Sequence, residues 1–295
     1  MTYQDVWCKG IRVVTGEREC AKRYQIVRDF CSQYNRPFTV LDIGAAQGYF
    51  SLRLAEDFDC TCVAIEHRGD LRAILETNQQ SRVLWLQRRF TLDDLITLGK
   101  VEHFDVVLGL SVVHWLGHTP DESLSVMRRL GEHLILELAQ EKEACGQSVV
   151  RETEIPQDAM ILGYGESHVH AGAQRPIVLL SQSKTTLARR YIGNKEPVDI
   201  TIESDFESKR LVKQSETRDW HRGINLHTFM RLGGDWPTYE HITNLIKQAA
   251  SEPHGDLRAW NVILQGDAVQ LIDAKPGQAE MDKQFLEELM QVLAR

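Results

Sequence analysis

From Pro37 onward, short apolar runs alternate with segments whose apolar residues recur at helical spacing. FTVLDIG, DCTCVAIE, SRVLWLQ, HFDVVLGLS and EHLILELA are rich in Val, Ile and Leu. They are continuously apolar rather than alternating, which predicts strands buried on both faces. Between them, YFSLRLAEDF, DLRAILETNQQ, LDDLITLG and PDESLSVMRRLGE predict amphipathic helices, with Asp70 and Pro120 standing where helices start. Strand alternating with helix implies right-handed crossovers and a mostly parallel sheet, an α/β class. Residues 1–36 predict helix around a Gly/Thr turn, with ERECAKRYQIVRDFCSQY as one amphipathic helix covering the sheet. Beyond Gln174 the texture changes. IVLLSQSKTTLARRYI predicts a pair of edge strands, VDITIES another, and the stretches from Thr238 to Ala250 and from Met281 to Arg295 are helical by pattern. A boundary near residue 182 separates the α/β domain, residues 1–182, from a smaller α+β segment, residues 183–295.

The chain has 295 residues, 42% of them hydrophobic, enough for one sizeable core and a second, smaller one. No apolar run is long enough to span a membrane, and MTYQDVWCKGIRVV lacks the layout of a signal peptide, so a soluble, cytoplasmic protein is expected. Cys8, Cys20, Cys31, Cys60, Cys62 and Cys145 are scattered without CxxC pairs, which favours reduced thiols over zinc or disulfides. A formal net charge of −8 argues against extended nucleic-acid binding.

The most informative stretch is VLDIGAAQGYFSLRLA. A buried strand runs into Asp42, the turn carries Gly44 and Gly48, and a helix follows at once, so backbone N–H groups face a ligand. The spacing is G-x-x-x-G, without the middle glycine that a dinucleotide pyrophosphate requires. S-adenosylmethionine has no phosphate, and its ammonium suits an acid such as Asp42. Glu66, at the end of the second strand, can accept both ribose hydroxyls, and Phe50 stands in register with the loop.

Over about residues 37–182 the sequence resembles the class I S-adenosylmethionine-dependent methyltransferases. That resemblance implies a Rossmann-like seven-stranded sheet with its last strand antiparallel and the cofactor across the strand carboxyl ends. By position, Gly44, Ala46 and Gly48 match the methionine-side loop and Glu66 the ribose acid. Arg89 with Phe90 match the loop flanking the adenine, and Leu110 with Ser111 the motif beside the sulfonium.

On the acceptor side, the fourth strand leads into GLSVVHWLGH, which places His114 and His118 one helical turn apart. Without a third ligand or an HExxH pattern no metal site is expected; either imidazole can instead serve as a base, because it titrates near neutral pH. Trp115 reads as a pocket wall or as core. Glu137, ending the fifth strand, is a second candidate base or an orienting group. Methyl transfer is an in-line displacement at a pre-activated cation, so positioning and desolvation should carry most of the rate.

Taken in order, GLSVVHWLGH, LILELAQEKE, QRPIVLLS, ARRYIG and HGDLRAWNVILQGDAVQLID resemble the bifunctional methyltransferase and kinase family that terminates bacterial O-antigen polysaccharides. The family implies a kinase that phosphorylates the terminal sugar of a glycan and a methyltransferase that caps the new phosphate. It also implies that Arg18 and Arg23 lie near the cofactor carboxylate or the acceptor phosphate, and His114 near the acceptor. HGDLRAWN with the later Asp273 keeps the spacing of a phosphotransferase loop, in which Asp256 would take a hydroxyl proton and Asn261 and Asp273 would hold magnesium. Yet no glycine loop lies between Tyr191 and His254, Ile200 stands about where the strand lysine should be, and only 22 residues follow Asp273. The segment therefore reads as a degenerate kinase remnant without phosphotransferase activity. The expectation is an S-adenosylmethionine-dependent O-methyltransferase acting on a glycan terminus, at a phosphate or a sugar hydroxyl. Two rivals are an RNA 5′-phosphate or small-molecule O-methyltransferase, and a binding protein whose remnant docks a glycosyltransferase.

Overall fold

The computed structural model describes residues 2–116, 119–140, 143–145, 148–150, 153–167, 172–182, 184–189, 198–213, 216–219, 221–235, 239–249, 254–275 and 279–293. In chain order the first half comprises β1 (Val6–Cys8), β2 (Ile11–Val14), α1 (Ala21–Cys31), β3 (Phe38–Ile43), α2 (Tyr49–Asp57), β4 (Cys60–Ile65), α3 (Asp70–Asn78), β5 (Val83–Leu86), α4 (Leu92–Leu98), β6 (Phe104–Leu110), α5 (Pro120–Arg128) and β7 (Gly131–Glu137). Then follow β8 (Glu143–Cys145), β9 (Ser148–Val150), β10 (Met160–Glu166), β11 (Gln174–Ser181), β12 (Lys184–Arg189), β13 (Val198–Ser204), β14 (Lys209–Lys213), β15 (Glu216–Asp219), β16 (Ile224–Asn225), α6 (Leu226–Arg231), β17 (Gly234–Asp235), α7 (Tyr239–Ala249), β18 (Val262–Leu264), β19 (Val269–Leu271) and α8 (Ala279–Leu293).

The central sheet runs β10-β11-β7-β6-β3-β4-β5-β17. Its five predicted strands, β3 to β7, pair in parallel and are buried along almost their whole length, as continuous apolar runs require. β11 is antiparallel to both its neighbours, β7 and β10. Seven strands thus form the mostly parallel sheet that the sequence leads one to expect, and the two-residue β17 adds an antiparallel edge. Local chemistry sets the helix starts: Thr91 with Asp94 and Thr119 with Glu122 form capping boxes, and Pro120 occupies the first turn of α5.

Three expectations are corrected. Residues 6–14 form a hairpin, not a helix, because Lys9 and Gly10, at φ 48° and 82°, make the left-handed pair that a tight two-residue turn demands. The long N-terminal helix is confined to α1. The IVLLS run is not an edge: β11 lies between β7 and β10 with Ile177 to Leu180 buried, while β12 belongs to a separate sheet, β12-β13-β14-β15.

Residues beyond 182 share the core of the first half. One continuous apolar cluster joins Leu84, Leu86 and Phe90 to Ile224, Phe229, Leu232 and Leu264. Lys209 of β14 is buried at 3.2 Å from Asp105 of β6, which also pairs with Arg36 at 2.8 Å. Burial pushes the Asp105 carboxyl up, but Lys209 and Arg36 hold it well below the carboxylate range. Among the described residues no helix is long and apolar enough to cross a membrane.

Candidate active site

At the carboxyl end of β3 the chain turns sharply into α2. Gly44 and Gly48 sit at φ 74° and 72°, and Ala46 between them takes φ 51°. A side chain on Gly44 would come within 3.1 Å of Val112 Cγ2 and would fill the crevice between the loops after β3 and β6. That crevice opens into a cleft of about 740 Å3 running along the strand ends.

Gly44 and Ala46 floor the cleft, Glu66, His67 and Arg68 line it past β4, and Arg88, Arg89 and Phe90 past β5. Leu110, Ser111, Val112, Trp115 and Leu116 line it past β6. The structure thus brings together Gly44, Ala46, Glu66, Arg89, Phe90, Leu110 and Ser111 from the sequence-predicted set. Glu66 is held ready: Ala46 N–H donates to Oε2 and Arg68 N–H to Oε1, both at 2.9 Å, and His67 Nδ1 lies 2.9 Å from Oε1. Carboxylate, glycine turn and half-apolar wall fit a nucleoside joined to an amino acid: Glu66 for a ribose diol, Phe90 for a base, and the turn for the amino-acid end.

Other predicted residues lie elsewhere. Asp42 is buried beside Ser51, whose hydroxyl donates to it at 2.7 Å, and it does not line the cleft. Burial, with help from Glu66, raises its pKa to about 6. Strand alternation is the cause, since Ile43 faces the cleft and its neighbour must point away. Phe50 is a core residue, packed at a tilt against Tyr24 and edge-on against Tyr49 and carrying the Arg23 guanidinium 5.2 Å from its ring centroid. Gly48 shapes the loop as the left-handed cap of α2 without lining the cleft. His118 lies outside the described residues. His114 sits in the 3-10 turn Val113–Trp115 with its ring 5.2 Å from that of Trp115, but only Trp115 of the two lines the cleft, 49% exposed.

Behind Ser111 lies a buried cluster of charges. Glu137, at the end of β7, is about 1% exposed and forms ion pairs with Arg18 and, at 3.2 Å, with Arg23. Ser111 Oγ donates to Glu137 Oε2 at 2.5 Å and accepts from Arg175 Nη1 at 2.9 Å. Burial alone would raise the Glu137 carboxyl, yet Arg23, Arg18 and the Ser111 hydroxyl keep its pKa below the usual value. A carboxylate so held cannot serve as a base near neutral pH; its geometry is that of an orienting group. The Arg175 guanidinium shows the opposite imbalance: burial, then Arg18, depress its pKa. Arg23 is therefore part of this cluster and not of the cleft wall.

Sequence reading missed Tyr3 and Glu17 as cleft residues. Backbone bonds from Glu17 to Thr2 and Arg18 to Tyr3 strap the N-terminus across the glycine loop, where Gln4 N–H also donates to Gln47 at 2.8 Å. No periodicity announces such a strap. Arg175 was missed as well, although a lone arginine opening the apolar run of QRPIVLLS was its signal.

In the kinase-like stretch, the Asp256 carboxylate is taken up by Lys275 at 2.8 Å and Arg258 at 2.9 Å, and Lys275 holds its pKa low. Asn261 donates to the Asp256 carbonyl at 2.7 Å, and Asp273 takes φ 58°. The loop is anchored from α8, where Asp282 accepts from Gly255 N–H and Leu257 N–H at 2.9 Å each. Among the described residues no group of three His, Cys, Asp or Glu converges on a metal position.

Residues 41–133 match the family model described as Methyltransferase domain. The chain is 30% identical over 191 residues to the O-antigen chain terminator bifunctional methyltransferase/kinase WbdD of Escherichia coli, a match spanning 58% of this chain and 26% of the relative. The chain thus corresponds to about a quarter of the length of that relative. Among solved structures, the bifunctional kinase-methyltransferase WbdD aligns with 93% of this chain and 81% of its own, at 20% identity and a TM-score of 0.48. The N-terminal domain of EvdMO1 with SAH bound aligns with 61% of this chain and 91% of its own, at 17% identity and a TM-score of 0.46.

Proposed function

Residues 41–133 carry a methyltransferase domain of the S-adenosylmethionine-dependent kind, and from that premise we propose that the acceptor is an anionic oxygen, the terminal phosphate of a glycan. The observation that carries this reading is the convergence of Arg18, Arg23 and Arg175 on Glu137 and Ser111, with Ser111 in the lining of the cleft. Three guanidiniums against the one Glu137 carboxylate leave a net positive charge behind the cleft wall, and in low-dielectric surroundings that raises the potential in the cleft and favours an anion there. The bound cofactor supplies a methyl group on a sulfonium, and displacement forms an O–C bond while the S–C pair passes to sulfur.

A phosphate monoester is ionised at neutral pH and gives up no proton in this step. The site then needs no base, consistent with a Glu137 locked as a carboxylate and a His114 that does not line the cleft. Arg175 and Glu137 fix the Ser111 side chain in the cleft wall, the net positive charge behind it draws the acceptor anion, Glu66 fixes the ribose, and Phe90 the adenine. Trp115, half-exposed at the cleft mouth, offers a flat face for the sugar that bears the phosphate. The similarity to the Escherichia coli WbdD, an O-antigen chain terminator, supports a glycan over other phosphates. The net charge of −8 supports it over RNA. We place the reaction in the cytoplasm, where S-adenosylmethionine is made. Residues 183–295 act in this reading as a scaffold and not as a phosphotransferase, because Lys275 and Arg258 occupy the carboxylate that would take the proton.

The test is transfer of label from radiolabelled S-adenosylmethionine to phosphorylated oligosaccharides, their unphosphorylated twins, short 5′-phosphorylated RNAs and small phenols. Label confined to phosphorylated sugars is expected. Equal labelling of the unphosphorylated twins would move the acceptor to a hydroxyl and require a base.

A further inference from the structure

Residues 183–295 abut the strand that supports the nucleoside half of the cofactor site. β17 pairs antiparallel with β5, Gly234 opposite Leu86 and Asp235 opposite Trp85, and Gln87 N–H donates to Gly233 carbonyl at 3.3 Å. These β5 residues support the cofactor groups: Trp85 Nε1 donates to the Glu66 carbonyl at 2.8 Å, and Glu66 N–H donates to the Leu86 carbonyl at 3.2 Å. The next residues of the chain, Arg88, Arg89 and Phe90, line the cleft. The attachment is also tight. A side-chain carbon on Gly234 would lie 2.4 Å from the ring of Phe229, whose ring is buried in the cluster that contains Leu86 and Phe90. A second fastening holds the other end of the same strands: Thr61 of β4 donates to the Gln265 carbonyl at 2.8 Å, and Arg222 and Asp267 pair with Asp59 and Arg82.

We infer that β17 and Phe229 are positioning elements of the methyltransferase, setting through β5 the place of Glu66 and the Gln87–Phe90 loop and hence the affinity for S-adenosylmethionine. Without β17, β5 is the sheet's edge on this side and its last residues lose their lateral partner. The kinase-like segment then has a role that needs no phosphotransferase chemistry. It completes the cofactor site of the domain before it.

Coupling of this kind is reciprocal, so cofactor binding must also steady β17. The test uses the full chain. Calorimetric titration with S-adenosylmethionine is expected to give about tenfold weaker binding for Gly234→Ala and a smaller loss, about threefold, for Phe229→Leu, within the range usual for linked sites. Acceptor KM and the far-ultraviolet spectrum should stay at wild-type values, and Asp256→Asn, in the same segment, should bind the cofactor normally. In the wild-type protein, adding the cofactor should slow amide exchange in the peptide holding Gly233–Asp235 as well as in Gln87–Phe90. That second measurement needs no variant, so it decides the matter even if Gly234→Ala does not fold. Unchanged exchange at Gly233–Asp235, or wild-type affinity in both folded variants, overturns the inference.

Discussion

Asp42→Asn separates a cofactor ligand from a buried structural acid. Asp42 lies in the interior against Ser51, and burial raises its carboxyl from the ordinary 3.8 to about 6. The folded state therefore holds this proton more tightly than the unfolded chain, and stability falls as pH rises through that window. A shift of roughly two units corresponds to about 3 kcal/mol in total, of which about 1.4 kcal/mol is lost between pH 5 and pH 8. Asparagine keeps an acceptor for Ser51 and has no charge to bury. The gap between variant and wild type should then move in the variant's favour by about 1.4 kcal/mol from pH 5 to pH 8, or roughly 3–5 °C in Tm. The assay is thermal unfolding of both proteins across that range, with S-adenosylmethionine titrations at neutral pH. The reasoning requires cofactor affinity within threefold of wild type. A tenfold loss of affinity, with parallel pH–stability curves, would return Asp42 to the cofactor's ammonium.

Glu137→Gln leaves three buried guanidiniums facing a neutral amide, so it should destabilise the fold by about 3–5 kcal/mol, read by urea titration, and the difference should shrink as pH falls from the ordinary carboxyl pKa through the lower folded-state value, where the wild type takes up the proton as well. Trp115→Ala should raise acceptor KM roughly tenfold with little change in cofactor affinity, measured by steady-state kinetics with a phosphorylated oligosaccharide. His114→Ala should cost less than threefold in turnover, because an ionised phosphate needs no base; a loss of roughly 10²-fold or more would instead mark general-base catalysis of hydroxyl methylation. Incubation with γ-labelled ATP and magnesium should label no glycan acceptor, and label abolished by Asp256→Asn would restore the kinase.

The central sheet was legible because each of β3 to β7 is buried on both faces and must be apolar throughout. β10 escaped notice for the reverse reason. MILGYGE has two glycines and exposed Met160, Ile161 and Tyr164, and its Gly165 is needed because a side-chain carbon there would lie 2.6 Å from Glu137 Oε1. Gly44 and Glu66 were readable from the strand–turn–helix pattern, since ligands bind where parallel strands end, whereas Ala46, Arg89, Phe90, Leu110 and Ser111 came only through the resemblance to the methyltransferases. Asp42 and Phe50 were misplaced because spacing gives nearness to the loop but not which way a side chain points. The arginine cluster joins residues 18, 23, 111, 137 and 175, brought together only by the packing of α1, β6, β7 and β11. HGDLRAWN kept the letters of a phosphotransferase, yet what Asp256 does depends on Lys275 and Arg258, which no motif includes.

The most direct measurement of the anionic-acceptor account is the phosphatase sensitivity of the labelled product. A phosphorylated oligosaccharide is methylated with radiolabelled S-adenosylmethionine and then treated with a phosphomonoesterase. Methylation on the phosphate yields a diester that the phosphatase cannot open, so sugar, phosphate and label should stay joined while unreacted substrate loses its phosphate. If treatment releases inorganic phosphate and leaves the label on the sugar, the methyl group went to a hydroxyl and the account is wrong.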